Sequence, residues 1–251
     1  MSERVLTERI GAARVVTINR PERRNAIDGL TAAALLKAFE DFCTDDAARV
    51  MVLTGAGDQA FCAGADLKAI ATLDEDLPGG PLGFTRRFSP KPAIAAIEGW
   101  CVAGGFELAL WADLRVCSET ARFAFLERRF GVPLIDGGTQ RLPRVIGMGR
   151  ALELVLTGRI VEADEALAIG LVNEVVPAGR ALARSLELAE QLAAFPQQTM
   201  LSDRQALHEG MALGLAREAE LGRSSVATGA LGAARFAAGE GRGSSPLDAR
   251  R

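Results

Sequence analysis

The stretch from residue 93 to residue 127 limits the fold of this 251-residue chain more strictly than any other part. Residues 93–97 form a short apolar run with two isoleucines, and such a run predicts a buried strand. The small residues 103–105 predict a turn, and residues 106–112 predict the start of a buried helix. The chain must therefore bury a strand, a turn of small residues and a helix in direct succession.

The glycine pair in this turn, Gly104 and Gly105, allows a ligand to approach bare backbone, because glycine has no side chain to block it. The first N–H groups of a helix have no acceptor within the helix, so they are available to bind an oxyanion. A glycine pair before a helix is also a common tight turn. The pattern alone leaves both interpretations open.

Two glutamates accompany the turn. Glu107 lies in the first turn of the predicted helix among apolar residues, and Glu127 follows a second apolar run, residues 123–126. A carboxyl group in apolar surroundings tends to have a raised pKa, which suits acid–base catalysis. Two such groups beside a backbone anion site form a catalytic hypothesis. The alternative for Glu107 is a favourable interaction with the dipole of its own helix.

The bulk composition excludes several functions. A 49% hydrophobic content over this length suffices for one large domain, or for a domain with an appendage. A net charge of −3 without a long basic run gives no reason to expect a nucleic-acid partner. The four cysteines form no CxxC pair, which indicates free thiols in a reducing compartment. The lone histidine, His208, supports neither a zinc site nor a Ser-His triad and is interpreted as a surface residue.

The charge pattern also argues against membrane insertion and secretion. Residues 1–11 are charged and contain no apolar core of a signal peptide. The longest apolar region, residues 94–114, is interrupted by Glu98, Glu107 and Asp113, so it predicts a core segment and not a membrane span. We therefore expect a soluble, cytoplasmic protein without a membrane partner.

The remaining patterns mix strands and helices over the first two thirds of the chain, and only helices follow. The predicted elements are a hairpin of residues 5–9 and 13–18, a helix over 29–42 with Asp28 as its N-cap, a strand over 50–54, a small-residue turn over 61–66 before a helix beginning near Leu67, a loop over 73–92, helices over 149–156 and 163–169, a last strand over 171–176, and helix-compatible sequence over 178–228. Residues 239–246 predict a flexible tail.

Apolar residues recur in the helix-compatible region, and they could pack in two ways. They favour either packing on a neighbouring subunit or packing on the chain's own core. The residues are Leu182, Leu186, Leu188, Ala189 and Leu192.

Four segments together resemble the crotonase family, also called the enoyl-CoA hydratase/isomerase family. They are INRPERRNAID, AFCAGADLK, AIEGWCVAGGFELALWADLR and DGGTQRLPRVIG, and the resemblance runs from about residue 5 to residue 176. It implies an α/β fold, a crotonase-type spiral of ββα units with a C-terminal helical trimerisation region. It also implies a spiral acyl-CoA-binding core over residues 1–195, a helical region with a flexible tail over residues 196–251, and assembly as a homotrimer or as a dimer of trimers (a hexamer).

The resemblance assigns the backbone anion site. Family members stabilise the enolate of an acyl-CoA thioester with two backbone N–H groups, which correspond to those of Ala65 and Gly104. This agrees with the two small-residue turns, each of which opens a predicted helix. Coenzyme A is part of the substrate, and the resemblance implies neither a separate cofactor nor a metal.

The resemblance also assigns contacts with the substrate. Arg24 lies near the position where the family often places a basic side chain for the CoA phosphates, although an ordinary surface arginine would fit the pattern equally well. Phe236 corresponds to a phenylalanine that often lines the acyl pocket. The adenine-binding stretch corresponds to Ala63, Ala65, Asp66 and Leu67.

The two glutamates favour one reaction within this family. Hydratase members carry both of them at the separation of Glu107 and Glu127, and add water across a trans-2-enoyl-CoA to give a 3-hydroxyacyl-CoA. Glu107 would activate the water and Glu127 would supply the proton to the α-carbon. The alternatives are an enoyl- or dienoyl-CoA isomerase, and a catalytically weak acyl-CoA-binding protein. Buried carboxylates cost stability, which argues against a protein that only binds.

Asp136 departs from the hydratase pattern. Typical hydratases carry a small Pro-Gly-Ala step before GGTQRL, where this chain has Leu134, Ile135 and Asp136. One interpretation is that Asp136 caps the helix that begins near Gly138, since aspartate is a preferred N-cap. The other is that Asp136 points into the pocket as a third acid–base group.

Overall fold

The computed structural model describes residues 3–74, 79–129 and 132–209. The chain divides into two compact units between Leu192 and Ala193. The predicted division into an acyl-CoA-binding core up to residue 195 and a helical region from residue 196 stays a prediction. The predicted flexible tail and Phe236 lie outside the described residues.

The strands of the first unit form two sheets. They are β1 (Val5–Ile10), β2 (Ala13–Ile18), β3 (Val50–Gly55), β4 (Ala60–Cys62), β5 (Ala93–Ile97), β6 (Trp100–Val102), β7 (Leu114–Ser118), β8 (Arg122–Ala124), β9 (Val161–Glu162) and β10 (Glu174–Val176). The larger sheet has the order β1-β2-β3-β5-β7-β10, and the smaller sheet has the order β4-β6-β8-β9. In the larger sheet β1 and β2 are antiparallel, and the other pairs are parallel.

The structure confirms the strands with strong sequence signals. The predicted hairpin is β1 and β2, and the two apolar runs predicted as strands are β3 and β5. All five residues of β5 are buried, as expected for a central strand covered on both faces. The last strand, predicted over residues 171–176, is shorter than expected, because only its final three residues, which form β10, pair with β7. The sequence patterns missed β4 and β6 to β9, most of which are too short for an alternating pattern.

The helices are α1 (Gly29–Thr44), α2 (Gly104–Trp111), α3 (Gly138–Ile146), α4 (Met148–Thr157), α5 (Ala163–Ala168), α6 (Ala181–Ala194) and α7 (Gln197–Glu209). Asp28 caps α1 as predicted, since its carboxylate accepts a hydrogen bond from the N–H of Thr31 at 3.0 Å. The helix predicted near Leu67 is instead a short 3-10 helix, Leu67–Thr72. None of the helices in the described residues is both long and apolar enough to span a bilayer.

The apolar residues that begin α6 pack on the chain's own core. Ala181 and Ala189 are fully buried in a cluster that includes residues of β2, β3 and β5. Leu182, Leu186 and Leu192 pack against this cluster and are partly buried. Of the two interpretations left open by the sequence, packing on the own core is correct for these residues. Trimeric or hexameric assembly stays a prediction.

The smaller sheet places the predicted site. Its strands β4, β6 and β8 run parallel. The small-residue turn 63–66 follows β4, α2 follows β6, and a short 3-10 helix, Leu126–Arg129, comes shortly after β8. Because the carboxyl ends of parallel strands lie at one edge of a sheet, the three segments that carry the predicted chemistry meet there.

Candidate active site

A cavity of about 370 Å³ lies where these segments meet. Its lining is mostly apolar, with contributions from Leu82, Trp100 and Ile135. The structure brings most of the predicted site residues together around this cavity. They are Arg24, Ala63, Ala65, Leu67, Gly104, Glu107, Glu127 and Asp136.

The N–H of Ala65 has no acceptor among the described residues, because of the way its segment pairs with Ile27. Ile27 and Ala65 form an isolated parallel bridge. The N–H of Ile27 donates to the carbonyl of Gly64 at 2.8 Å, and the N–H of Asp66 donates to the carbonyl of Ile27 at 2.8 Å. In such a bridge the central residue turns its own N–H away from the partner segment. Among the described residues no acceptor binds the N–H of Ala65.

The N–H of Gly104 is left without a partner by its position at the start of α2, where a helix provides no acceptor. The preceding residue, Ala103, has φ +55° and ψ −136°, a conformation that is rare for a residue with a side chain. Strained backbone of this kind persists where the surroundings hold it, and it concentrates at functional sites.

The two turns pack backbone against backbone. A Cβ added to Gly64 would lie 2.6 Å from the nitrogen of Gly104, and one added to Gly105 would lie 2.2 Å from the carbonyl oxygen of Cys62. Any side chain at either position would push the turns apart. The glycines therefore allow the N–H groups of Ala65 and Gly104 to belong to one anion site.

Arg20 and Asn25, which the sequence analysis did not single out, hold the first of these turns. Asn25 is fully buried and donates to the carbonyls of Ala56 and Ala60, at 3.0 and 2.7 Å. Arg20 is also buried, and its guanidinium bonds the carboxylate of Asp66 at 2.9 Å. Arg20 lies between two N-cap aspartates in space, 3.2 Å from Asp28 and 2.9 Å from Asp66, but it precedes both in the chain, so no local pattern pointed to it.

The carboxylate of Asp66 does not line the cavity. It pairs with Arg20 and accepts a hydrogen bond from the N–H of Lys68 at 3.2 Å, which caps the 3-10 helix after it. The side chain thus has structural partners, and the substrate contact that the family resemblance implied for Asp66 stays a prediction.

Glu107 is held against the start of a second helix. Its Oε1 accepts hydrogen bonds from the N–H of Gly138 at 2.7 Å and from the N–H of Asp136 at 3.1 Å. A Cβ added to Gly138 would lie 2.9 Å from this same oxygen. The glycine at the start of α3 therefore permits the close approach of the carboxyl group, which is only 2% exposed.

Burial raises the pKa of Glu107 to about 8. The hydrogen bond from Gly138 opposes this rise, while the negative charges of Asp136 and Glu127 add to it. Glu107 is therefore mostly protonated at neutral pH. Glu127 is buried in the same cavity.

The prediction that Asp136 caps α3 is wrong. The N-cap of α3 is Gly137, with φ +98° and no side-chain hydrogen bond. The Asp136 carboxylate turns instead to the loop that follows residue 79, where it accepts hydrogen bonds from the Thr85 hydroxyl and from the N–H of Leu82 at 3.3 Å. Burial raises the pKa of Asp136, and the bond from Thr85 opposes the rise. A third carboxylate thus lines the cavity, and its role in catalysis stays a prediction.

Comparison with known proteins agrees with this geometry. The enoyl-CoA hydratase/isomerase family matches residues 8–225. A carnitinyl-CoA dehydratase of Salmonella typhi is 44% identical over 197 residues, which cover 76% of this chain and 75% of that protein.

Solved structures show the same fold. An enoyl-CoA hydratase from Mycobacterium marinum superposes with a TM-score of 0.86 at 36% identity, covering 93% of this chain and 95% of that chain. A carnitinyl-CoA dehydratase from Mycobacterium avium 104 has a TM-score of 0.77 at 40% identity, covering 81% and 82%. The predicted crotonase-type α/β fold is confirmed, and the chain is an enzyme of the lyase class that belongs to the enoyl-CoA hydratase/isomerase family.

Proposed function

We propose that this enzyme is an enoyl-CoA hydratase, which adds water across the double bond of a trans-2-enoyl-CoA to give a 3-hydroxyacyl-CoA. One observation carries the proposal: Glu107 and Glu127 line the same cavity as the anion site of Ala65 and Gly104. The proposed chemistry needs only the acyl-CoA, a water molecule and the protein's own groups. Assembly as a homotrimer or a dimer of trimers and a cytoplasmic location are further proposals, supported by the family resemblance.

The anion site would stabilise the charge that develops on the substrate. The thioester oxygen accepts hydrogen bonds from the N–H groups of Ala65 and Gly104 as the double bond becomes an enolate. Donors placed where charge develops contribute roughly 3–4 kcal/mol each to lowering a barrier. Arg24 is exposed at the cavity and would contact the CoA phosphates, while Ala63 and Leu67 would contact the adenine.

The two glutamates would move one proton between them. The water oxygen bonds to C3 and gives its proton to Glu107, while Glu127 gives its proton to C2. Hydration therefore begins with the proton on Glu127 and ends with it on Glu107. Dehydration runs the same steps in reverse and begins with protonated Glu107, the form that burial favours in the empty site.

This shared proton predicts the pH dependence. Both directions require one proton on the pair, and neither reaction consumes a proton overall, so their pH profiles should coincide. Loss of that proton from Glu107 leaves two carboxylates and no acid. We expect kcat/KM to fall about tenfold for each pH unit above about pH 8, with crotonyl-CoA and with 3-hydroxybutyryl-CoA alike. Rates that keep rising from pH 8 to pH 10 in both directions would contradict the assignment.

One observation favours a second candidate function. The carboxylate of Asp136 could carry a proton to a more distant carbon, as an enoyl- or dienoyl-CoA isomerase requires. The relatives named carnitinyl-CoA dehydratase support hydration instead, because dehydration of a 3-hydroxyacyl-CoA is the reverse of the proposed reaction.

Turnover of crotonyl-CoA, followed by the loss of the enoyl-thioester absorbance, tests the proposal. We expect the enzyme to hydrate it and Glu127→Gln to lower kcat by roughly 10²–10⁴-fold with little change in KM. Migration of the double bond without loss of water would favour the isomerase. Tight binding without turnover over a panel of enoyl-CoA and 3-hydroxyacyl-CoA thioesters would favour a catalytically weak binding protein.

A further inference from the structure

A short turn, residues 135–138, holds the carboxyl group of Glu107. The N–H groups of Asp136 and Gly138 both donate to Glu107 Oε1, at 3.1 and 2.7 Å. Since Glu107 is buried and these two donors bind the same oxygen, a shift of the turn would move the carboxyl group with it. The contacts that fix the turn therefore also fix Glu107.

The side chain of Asp136 joins this turn to the loop that begins at residue 79. Its Oδ1 accepts hydrogen bonds from the hydroxyl of Thr85 and from the N–H of Leu82, the latter at 3.3 Å. Leu82 lines the cavity, whereas Thr85 is fully buried and is not part of the lining. Asp136 thus connects the wall of the cavity, through its side chain, with Glu107, through its backbone.

Two arginines fasten the same two segments to each other. Arg141 donates to the carbonyl of Asp136 at 2.8 Å and to the carbonyl of Thr85. Arg86 donates to the carbonyl of Ile135 at 3.0 Å. Burial raises the pKa of Asp136, and the bond from Thr85 and the charges of both arginines oppose that rise. These contacts favour the carboxylate form, which accepts a hydrogen bond from Thr85 more strongly than a neutral group would.

Two glycines allow the segments to approach closely. A Cβ added to Gly80 would lie 2.5 Å from the hydroxyl oxygen of Thr85 and 3.0 Å from Oδ1 of Asp136. One added to Gly137 would lie 2.2 Å from Nη1 of Arg141. The contact between Thr85 and Asp136 therefore lies inside a closely packed junction, with no room for a side chain at either glycine.

We propose that Thr85 and Asp136 are positioning residues for Glu107, because the hydrogen bond between them fixes the turn that holds the carboxyl group. This proposal rests on the proposed hydratase function for the role of Glu107 in activating the water. It gives the aspartate that departs from the hydratase pattern a role that acts through Glu107, without a proton transfer of its own.

Substitutions of Thr85 remove the contact without altering the cavity lining. Thr85→Val keeps the shape and removes the hydroxyl, and Thr85→Ala removes it without placing a second methyl group against the carboxylate. We expect both to lower kcat for crotonyl-CoA by about tenfold or more with little change in KM, because a small displacement of a catalytic group is costly. Thr85→Ser keeps the hydroxyl and should restore kcat to within a few-fold of the wild type. Thr7→Val removes an exposed hydroxyl and is the control, with kcat and KM unchanged.

A double-mutant cycle with Glu107→Gln shows whether the effect passes through Glu107. If Thr85 positions that carboxyl group, its loss should matter little once the carboxyl group is absent. We therefore expect Thr85→Val to lower the residual kcat of the Glu107→Gln protein by no more than about twofold. An equal loss in both backgrounds would show a merely structural role and overturn the proposal. Wild-type kcat in Thr85→Val and Thr85→Ala, or a serine variant as slow as they are, would overturn it as well.

Amide hydrogen exchange followed by NMR separates this proposal from the proposed function, since it needs no turnover. The N–H groups of Asp136 and Gly138 should exchange several-fold faster in Thr85→Val than in the wild type, and at the wild-type rate in Thr85→Ser. The N–H of Ala32, which donates to Asp28 in α1, is the internal reference and should not change. This result would support the positioning contact even if crotonyl-CoA were not hydrated. Unchanged exchange at both amides, or exchange that rises equally at Ala32, would contradict the contact even in an active hydratase.

Discussion

Glu107→Gln is expected to lower kcat for hydration by about 10²–10⁴-fold and to make the protein more stable at pH 8 than the wild type. The loss of rate follows because glutamine cannot accept the proton of the attacking water. The amide oxygen can still accept hydrogen bonds from the N–H groups of Gly138 and Asp136, so the local structure should persist.

The gain in stability follows from the raised pKa. Glu107 titrates near pH 8 in the folded protein, against an ordinary value of 4.5. Between these values the unfolded chain has lost the proton and the folded chain retains it, so the free energy of unfolding falls as the pH rises, by up to about 1.4 kcal/mol per pH unit. Below pH 4.5 Glu107 is protonated in both the folded and the unfolded chain. In that range its replacement by glutamine should not raise the free energy of unfolding through this titration.

Urea unfolding at pH 5 and at pH 8 measures the effect. The difference between variant and wild type should be larger at pH 8. Glu8→Gln removes an exposed carboxylate and serves as the control, since it should change neither kcat nor the pH dependence of stability. A glutamine variant at position 107 that keeps near-full activity, or that is no more stable than the wild type at pH 8, would contradict the assigned role and environment of Glu107.

Gly104→Pro is expected to lower kcat by about 10²–10³-fold or more while the fold persists. Proline lacks the N–H that we assign to the thioester oxygen. It is well tolerated at the first position of a helix, which Gly104 occupies in α2. We therefore expect the substitution to lower kcat more than it lowers the stability of α2.

Gly104→Ala is the matched control. A Cβ at this position would lie 2.7 Å from Cδ1 of Leu82, the end of a flexible side chain that can shift. Alanine adds this contact but keeps the N–H, so its loss of kcat should be much smaller than that of proline. Steady-state kinetics of the two variants, with circular dichroism to establish folding, would decide the point. Equal rates for folded proline and alanine variants would show that the turn is only structural.

The two glutamates of the cavity and the glycine turns could be found in the sequence because their signals are local. Glu107 follows a glycine pair directly, and Ala65 lies in a run of small residues. The sequence could not show how the glycine turns and the two glutamates come together in space. β4, β6 and β8 have three residues each, too few for a periodic pattern, yet their parallel pairing brings the turns and Glu127 to one edge.

The wrong expectation about capping came from a contact distant in sequence. Asp136 precedes a glycine pair as an N-cap would, but Thr85, 51 positions away, donates to its carboxylate. A buried donor from another segment outweighs the local preference, since a buried carboxylate must be paired or hydrogen-bonded. Arg20, 46 positions from Asp66, binds the Asp66 side chain, and the substrate contact that the family resemblance implied for Asp66 stays a prediction.

The most direct test of the central claim, that Glu107 and Glu127 add water to an enoyl-CoA held on the N–H groups of Ala65 and Gly104, is isotope incorporation from H₂¹⁸O. With crotonyl-CoA as substrate, mass spectrometry should find one ¹⁸O atom in the 3-hydroxyacyl-CoA product, formed at a rate that Glu127→Gln lowers by roughly 10²-fold or more. An unlabelled product with a shifted double bond, or label incorporated equally fast by the folded Glu127→Gln variant, would contradict the account.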